Sequence, residues 1–324
     1  MTTATGTAAG AVGPAAAVAV PGAPADRYRR LRRVLTAALL AAFLTTCATL
    51  GLPTDRVVLI CWVVVTLAVR SLGRGWSALA RLLADWVPLG AVLVLYDVSR
   101  GLADGLGRAV HVTGPAAVDR WLGDGVLPTV WLQQHWGASW WAAVASLVYV
   151  SHFVVTPGVL AVLWLRDRVR WVGYVQLVLA LSAAGLVTYV LYPAAPPWLA
   201  SRDGVIEHVD RISSSGWAVL GLPRAGALLH SSQGQVNPVA AIPSLHTAFA
   251  VLTCLALLPL ARHLWQRAAL VSYAVLMPVV LVWSGEHYVV DTVLGALYAA
   301  AVWVVVPRAV RLLRRRRTPA PVAA

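Results

Sequence analysis

The stretch Ser284-Gly-Glu-His-Tyr-Val-Val-Asp291 sets a histidine and an aspartate four residues apart. On a helix that spacing puts His287 and Asp291 on one face, within reach of each other. An aspartate so placed fixes the imidazole tautomer and leaves the other ring nitrogen basic, able to attack as a covalent nucleophile. Alone, His-x-x-x-Asp is a weak signal, because such pairs at helix ends are often satisfied polar clusters. A second stretch, Ala241-Ile-Pro-Ser-Leu-His246, strengthens it. Pro243 and Ser244 mark a helix N-terminus, whose unpaired first-turn N–H groups form an anion site beside Ser244. His246 falls in that turn, where it can protonate a departing oxygen as a general acid.

The elements that must position these groups are apolar helices. The chain has 324 residues, 59% hydrophobic and 12% charged, against roughly 25% charged in an ordinary soluble domain. A bilayer span needs about 20 mostly apolar residues. Stretches 34–52, 57–69, 79–96, 138–165, 171–192, 242–260, 268–283 and 288–306 approach or reach that length. They predict an all-α polytopic transmembrane bundle of about eight spans: two N-terminal helices and a six-helix catalytic core. The expected organisation is a disordered tail over 1–26, N-terminal helices over 27–78, a catalytic membrane domain over 79–307 and a basic tail over 308–324. The span at 57–69 is the least secure, being short and closely followed by Gly73 and Gly75.

A formal net charge of +13 would suit a nucleic-acid binder, but all 26 basic residues are arginines clustered between or beside the apolar runs. With eight spans, nineteen of them fall on one side: those in 27–33, 70–81, 166–170, 262–267 and 308–317. Arg56, Arg100, Arg108, Arg120, Arg202, Arg211 and Arg224 fall on the other. The positive-inside rule makes the first side cytoplasmic, with both termini. The expected location is the cell membrane, with no nucleic-acid partner. Two polar segments, 97–137 and 193–241, then lie outside, and so do the starts of the helices carrying His246 and His287. Trp131 to Trp141 reads as an interfacial helix leading into a span, and the prolines of Tyr192-Pro-Ala-Ala-Pro-Pro-Trp198 end the preceding helix. Cys47, Cys61 and Cys254 lie in apolar runs without paired spacing and read as small buried hydrophobes.

Pro-Ser-Leu-His246, followed some forty residues later by His287-x-x-x-Asp291, resembles the second and third signature motifs of the type 2 phosphatidic acid phosphatase superfamily. With Tyr192-Pro-Ala-Ala-Pro-Pro-Trp198 and Asn237-Pro-Val-Ala-Ala-Ile242, the chain looks closer still to the inositol phosphorylceramide synthase branch. The resemblance extends from about Asp85 to Gly295. It implies that His287 attacks phosphorus to give a phosphohistidine, Asp291 supports it and His246 protonates the leaving group. It also implies a lipid phosphate substrate drawn from membrane lipid, an alcohol acceptor such as inositol, and no metal or other cofactor. Usual members carry Lys-x6-Arg-Pro and an arginine directly after the serine of the third motif. This chain has no lysine and reads Ser284-Gly285. Phosphoryl transfer needs its charge neutralised, so other phosphate-binding cations are required. Arg100 is the first choice; Arg202, Arg211 and Arg224 follow.

Other residues carry weaker signals. His152 lies inside a span, where an ionisable group is costly and is either functional or paired. Glu286 is expected at a surface or headgroup contact, and Asp203, Glu207, His208 and Asp210 read as a solvated loop. A transporter or lipid-binding scaffold is the alternative function; it predicts broken helices and charges spread towards the bilayer midplane.

Overall fold

A computed structural model describes residues 28–50, 56–104, 107–137, 139–234 and 237–317. The tail expected over 1–26 and the last residues of the basic tail lie outside them. Thirteen α-helices form among the described residues, with no β-strand. In hydrocarbon a backbone must satisfy its own N–H and C=O groups, so apolar runs of this length become helices. Those long and apolar enough to cross a bilayer are α1 (Tyr28–Leu50), α3 (Trp76–Asp104), α6 (Ser139–Arg166), α7 (Arg168–Leu191), α12 (Leu264–Trp283) and α13 (Val289–Arg317). Two shorter apolar helices, α2 (Arg56–Ser71) and α11 (Leu245–Leu257), complete the eight predicted runs. Leu95, Val87 and Leu297 are each more than half exposed on the flanks of the bundle, a surface that only lipid covers without penalty.

At the arginine-rich end the bundle is locked by polar contacts. Asp85 of α3 receives a bidentate ion pair from Arg168 and the indole N–H of Trp164 at 2.8 Å. Asp167 separates α6 from α7 and caps the latter by accepting the Arg170 N–H at 3.0 Å. The core between α3, α7 and α11 is built on Leu82, Trp86, Tyr174, Leu181 and Leu252, all buried. The Tyr174 hydroxyl joins Thr253 at 3.0 Å, and the Tyr189 hydroxyl donates to the Pro243 carbonyl at 2.9 Å.

The opposite end is roofed by short helices: α4 (Thr113–Leu122), α5 (Pro128–His135), α8 (Pro197–Arg202), α9 (Gly216–Val219) and α10 (Pro223–Gly234). As expected, α7 stops at Leu191 before the proline run. The interfacial helix expected over Trp131 to Trp141 is instead two elements: α5 ends at His135, and α6 begins afresh at Ser139. The break lets the Trp136 carbonyl accept the Trp283 indole N–H at 2.9 Å. Gln133 then ties the roof together, donating to the Trp283 and Asp210 carbonyls and accepting the Asp210 N–H. Gly216 lies so close to the Ala142 carbonyl that a side chain there would collide with it.

Candidate active site

The site forms where α11 and α13 begin. Ser244 is the N-cap of α11: its hydroxyl accepts the Thr247 N–H at 3.4 Å, and its main-chain N–H donates to the Asp291 carbonyl at 2.9 Å. That second bond splices the two motifs directly, backbone to backbone. Gly295, one turn after Asp291, makes it feasible, because any side chain there would run into the Ser244 carbonyl. His246 is the second residue of α11. Its ring stacks on Tyr149 at 4.9 Å, lies 4.1 Å from His152 and faces His287 at 6.0 Å, between ring centroids.

His287 does not share a helix with Asp291. Gly285 turns the chain at φ +76°, and α13 starts only at Val289, so His287 belongs to the approach to the helix. Asp291, in the first turn, reaches back. One carboxylate oxygen accepts the Tyr288 N–H at 2.9 Å and lies 3.3 Å from His287 Nδ1. The outcome is the pairing expected from helical spacing, reached as a cap. Asp291 is fully buried and His287 nearly so. With Nδ1 committed to the carboxylate, Nε2 is the nitrogen left for chemistry.

Asp119, on α4, holds this turn from outside, accepting the Val289 N–H at 2.7 Å and the Val290 N–H at 3.0 Å. Burial pushes its carboxyl up to about 6, against the two N–H donors that favour the ionised form. Nothing in the sequence spacing of Asp119 announces a cap on a helix 170 positions away.

Glu286 corrects a second expectation. It is buried, not at a surface: Arg211 donates to it twice, at 2.9 and 3.1 Å, and the Ser213 hydroxyl donates as well. Arg211 stacks over the Trp198 ring at 4.4 Å. Burial opposes its charge, but Glu286 outweighs that and raises the guanidinium further. Its segment lies along the turn that carries His287: the Ile212 N–H donates to the Ser284 carbonyl at 3.1 Å, and a Cβ on Gly285 would meet the Asp210 carbonyl at 2.7 Å.

The other predicted cations disperse. Arg202 is exposed, pairs with Asp203 at 3.0 Å and lies 5.7 Å from Trp198. Arg224 is exposed in the first turn of α10. Arg100 lies near the end of α3, its side chain outside the described residues. The polar loop residues pair off separately, Glu207 with Arg120 at 2.6 Å and His208 with Asp210 at 3.2 Å.

Comparison with known proteins gives this arrangement a family. The phosphoinositol dihydroceramide synthase of Bacteroides thetaiotaomicron is 28% identical over 147 residues, 43% of this chain and 46% of that protein. The chain thus spans about half the length of this curated relative. No solved structure matches. The PAP2 superfamily model matches residues 116–305, from the helix bearing Asp119 through the last apolar helix. That match takes in both histidine motifs and more than half of the sequence: the chain belongs to the PAP2 superfamily.

Proposed function

We propose that this integral membrane protein transfers a phospho-alcohol headgroup between lipids through a phosphohistidine on His287. The observation that carries the reading is the His287–Asp291 pair at 3.3 Å with His246 facing it at 6.0 Å, a gap in which one phosphoryl group fits between nucleophile and acid. His287 Nε2 attacks phosphorus and the bond to the leaving lipid oxygen breaks. His246 gives its proton to that oxygen. An acceptor hydroxyl then attacks the phosphohistidine, His246 takes its proton, and His287 returns to its starting state. Asp291 holds the tautomer and stabilises the cationic ring in between.

The missing family cations are replaced by Arg211 and by the N-terminal end of the α11 dipole, with Ser244 shaping that end. Arg100, Arg202 and Arg224 serve as outer contacts to phosphate or headgroups. The cap end faces the extracytoplasmic side, the arginine-rich end the cytoplasm, on the strength of the arginine distribution. The name of the bacterial relative makes an inositol phospholipid the first donor to test and a long-chain lipid alcohol the first acceptor, with free inositol and water as the competing acceptors.

The test incubates purified protein with phosphate-labelled donor lipid, with and without each acceptor, alongside His287→Ala. Acid-labile label on the wild type alone, released as a new lipid when acceptor is added, is the expected result. Equal turnover by His287→Ala refutes the mechanism and returns the transporter or scaffold reading. Release of the phospho-alcohol to water at an undiminished rate in the presence of alcohols makes the protein a lipid phosphoester hydrolase.

A further inference from the structure

Beside the histidines the bundle leaves a partly open pocket of about 60 Å³. Its walls come from five helices: Leu59 and Ile60 of α2, Leu93 of α3, Phe153 and Leu160 of α6, Val178 and Ser182 of α7, and Phe249 of α11. His152 closes one end, and its ring is 4.1 Å from that of His246. The lining is mostly apolar, with Thr156, Ser182 and His152 as its polar members. The Ser182 hydroxyl is 97% buried and has no hydrogen-bond partner among the described residues. A helical serine ordinarily satisfies its hydroxyl on a carbonyl one turn back, and a buried hydroxyl left unpaired costs about 1–3 kcal/mol.

The depth of Ser182 is set by its neighbour Gly185. A Cβ on Gly185 would meet Leu245 Cδ2 at 2.9 Å, so this turn of α7 lies level with the start of α11. Ser182 is three residues further in, about 4.5 Å along the helix at 1.5 Å per residue. A phosphoester held between His246 and His287 therefore has its first carbonyl, amide or hydroxyl linkage near the depth of Ser182, and its hydrocarbon beyond. We infer that this pocket binds the first methylenes of one hydrocarbon chain of the lipid donor, with Ser182 hydrogen-bonded to the polar linkage at the head of that chain. The inference rests on the proposed lipid-phosphoester chemistry for its choice of ligand.

The test reads binding directly, so that it stands apart from turnover. Two photolabelled phospholipids carry a diazirine in one chain, one ester-linked on glycerol and one amide-linked on a sphingoid base. Each is irradiated with detergent-purified full-length protein, either His287→Ala or wild type. Labelling is expected on peptides carrying Phe153–Leu160 and Val178–Ser182, with competition by unlabelled lipid of the same linkage. Ser182→Trp, which fills the pocket, should remove at least nine-tenths of it. Ser182→Ala, which keeps the volume, should weaken the better-bound lipid by about threefold to tenfold, the worth of one hydrogen bond. Label spread over the lipid-facing flanks of α1 and α13, unchanged by Ser182→Trp, overturns the pocket; unchanged affinity in Ser182→Ala overturns the role of the hydroxyl. Pocket labelling in a protein that transfers no phosphoryl group would keep the site and refute the proposed chemistry.

Discussion

Replacing Asp119 separates the scaffold of the site from its reagents. Asp119 touches neither histidine motif's side chains; it holds the N–H groups of Val289 and Val290 at 2.7 and 3.0 Å from a fully buried position. Asp119→Ala leaves both donors unpaired. At about 1–3 kcal/mol for each buried group, and with water able to enter the space vacated, a loss of about 3 kcal/mol follows at pH 4, where the folded Asp119 carboxyl is protonated and no buried charge is relieved. For a chain of this size that is a fall of about 6 °C in Tm. Asp119→Asn behaves differently. It keeps one acceptor oxygen and offends one N–H, costing about 1–3 kcal/mol, but it also removes a buried charge. Burial lifts the Asp119 carboxyl from an ordinary 3.8 to about 6, worth about 3 kcal/mol at about 1.4 kcal/mol per pH unit. The two effects nearly cancel at neutral pH, so Asp119→Asn should melt within about 2 °C of the wild type. The sign of the pH dependence follows by linkage. Between pH 3.8 and about 6 the folded protein keeps a proton that the unfolded chain has lost. Wild-type stability therefore falls as pH rises through that window and levels off above it. Both variants lose this contribution. The assay is thermal unfolding in detergent from pH 4 to 8, paired with turnover at neutral pH. A wild-type-like Tm for Asp119→Ala at pH 4, or a wild-type pH slope in Asp119→Asn, refutes the reasoning.

Two further outcomes follow from the geometry. Glu286→Ala strands a guanidinium that is only 16% exposed, so it should cost about 3–5 kcal/mol; the double variant Glu286→Ala/Arg211→Ala should recover about 1–3 kcal/mol of stability without recovering turnover, and an additive cycle would break the assignment of Arg211. Gly295→Leu forces the start of α11 away from α13, at about 1–3 kcal/mol of overpacking. Turnover should drop about 100-fold, because a displacement of about 1 Å at reacting groups has that effect; unimpaired turnover in a folded variant would show that the splice is not needed.

The eight apolar helices were legible because hydrophobicity and length decide them locally, and so were the starts of α11 and α13, marked by Pro243 and Ser244 and by the His287–Asp291 spacing. What escaped were contacts made across long sequence separations. Asp119 reaches a helix on the far side of four spans, and Arg211 finds Glu286 from a loop whose path no periodicity encodes. Glu286 departs from the surface expectation because the turn at Gly285, which no spacing encodes, sends it inward. Gly295 had a visible signal, one helical turn after Asp291, although a glycine in an apolar helix also reads as mere small-residue packing. His152 was legible as an anomaly, and its place against His246 depends on how deep α11 begins.

The Ser244–Asp291 splice also bears on how the protein enters its membrane during synthesis. The helix beginning at Ser244 leaves the ribosome well before Asp291 does, with α12 between them. Until Asp291 arrives, the Ser244 N–H lacks its carbonyl acceptor, at a cost of several kcal/mol in hydrocarbon. Insertion of α11, α12 and α13 should therefore be concerted, the three helices held beside the translocon until the last of them docks. His287, carried on the approach to that last helix, takes up its position only when the bundle closes.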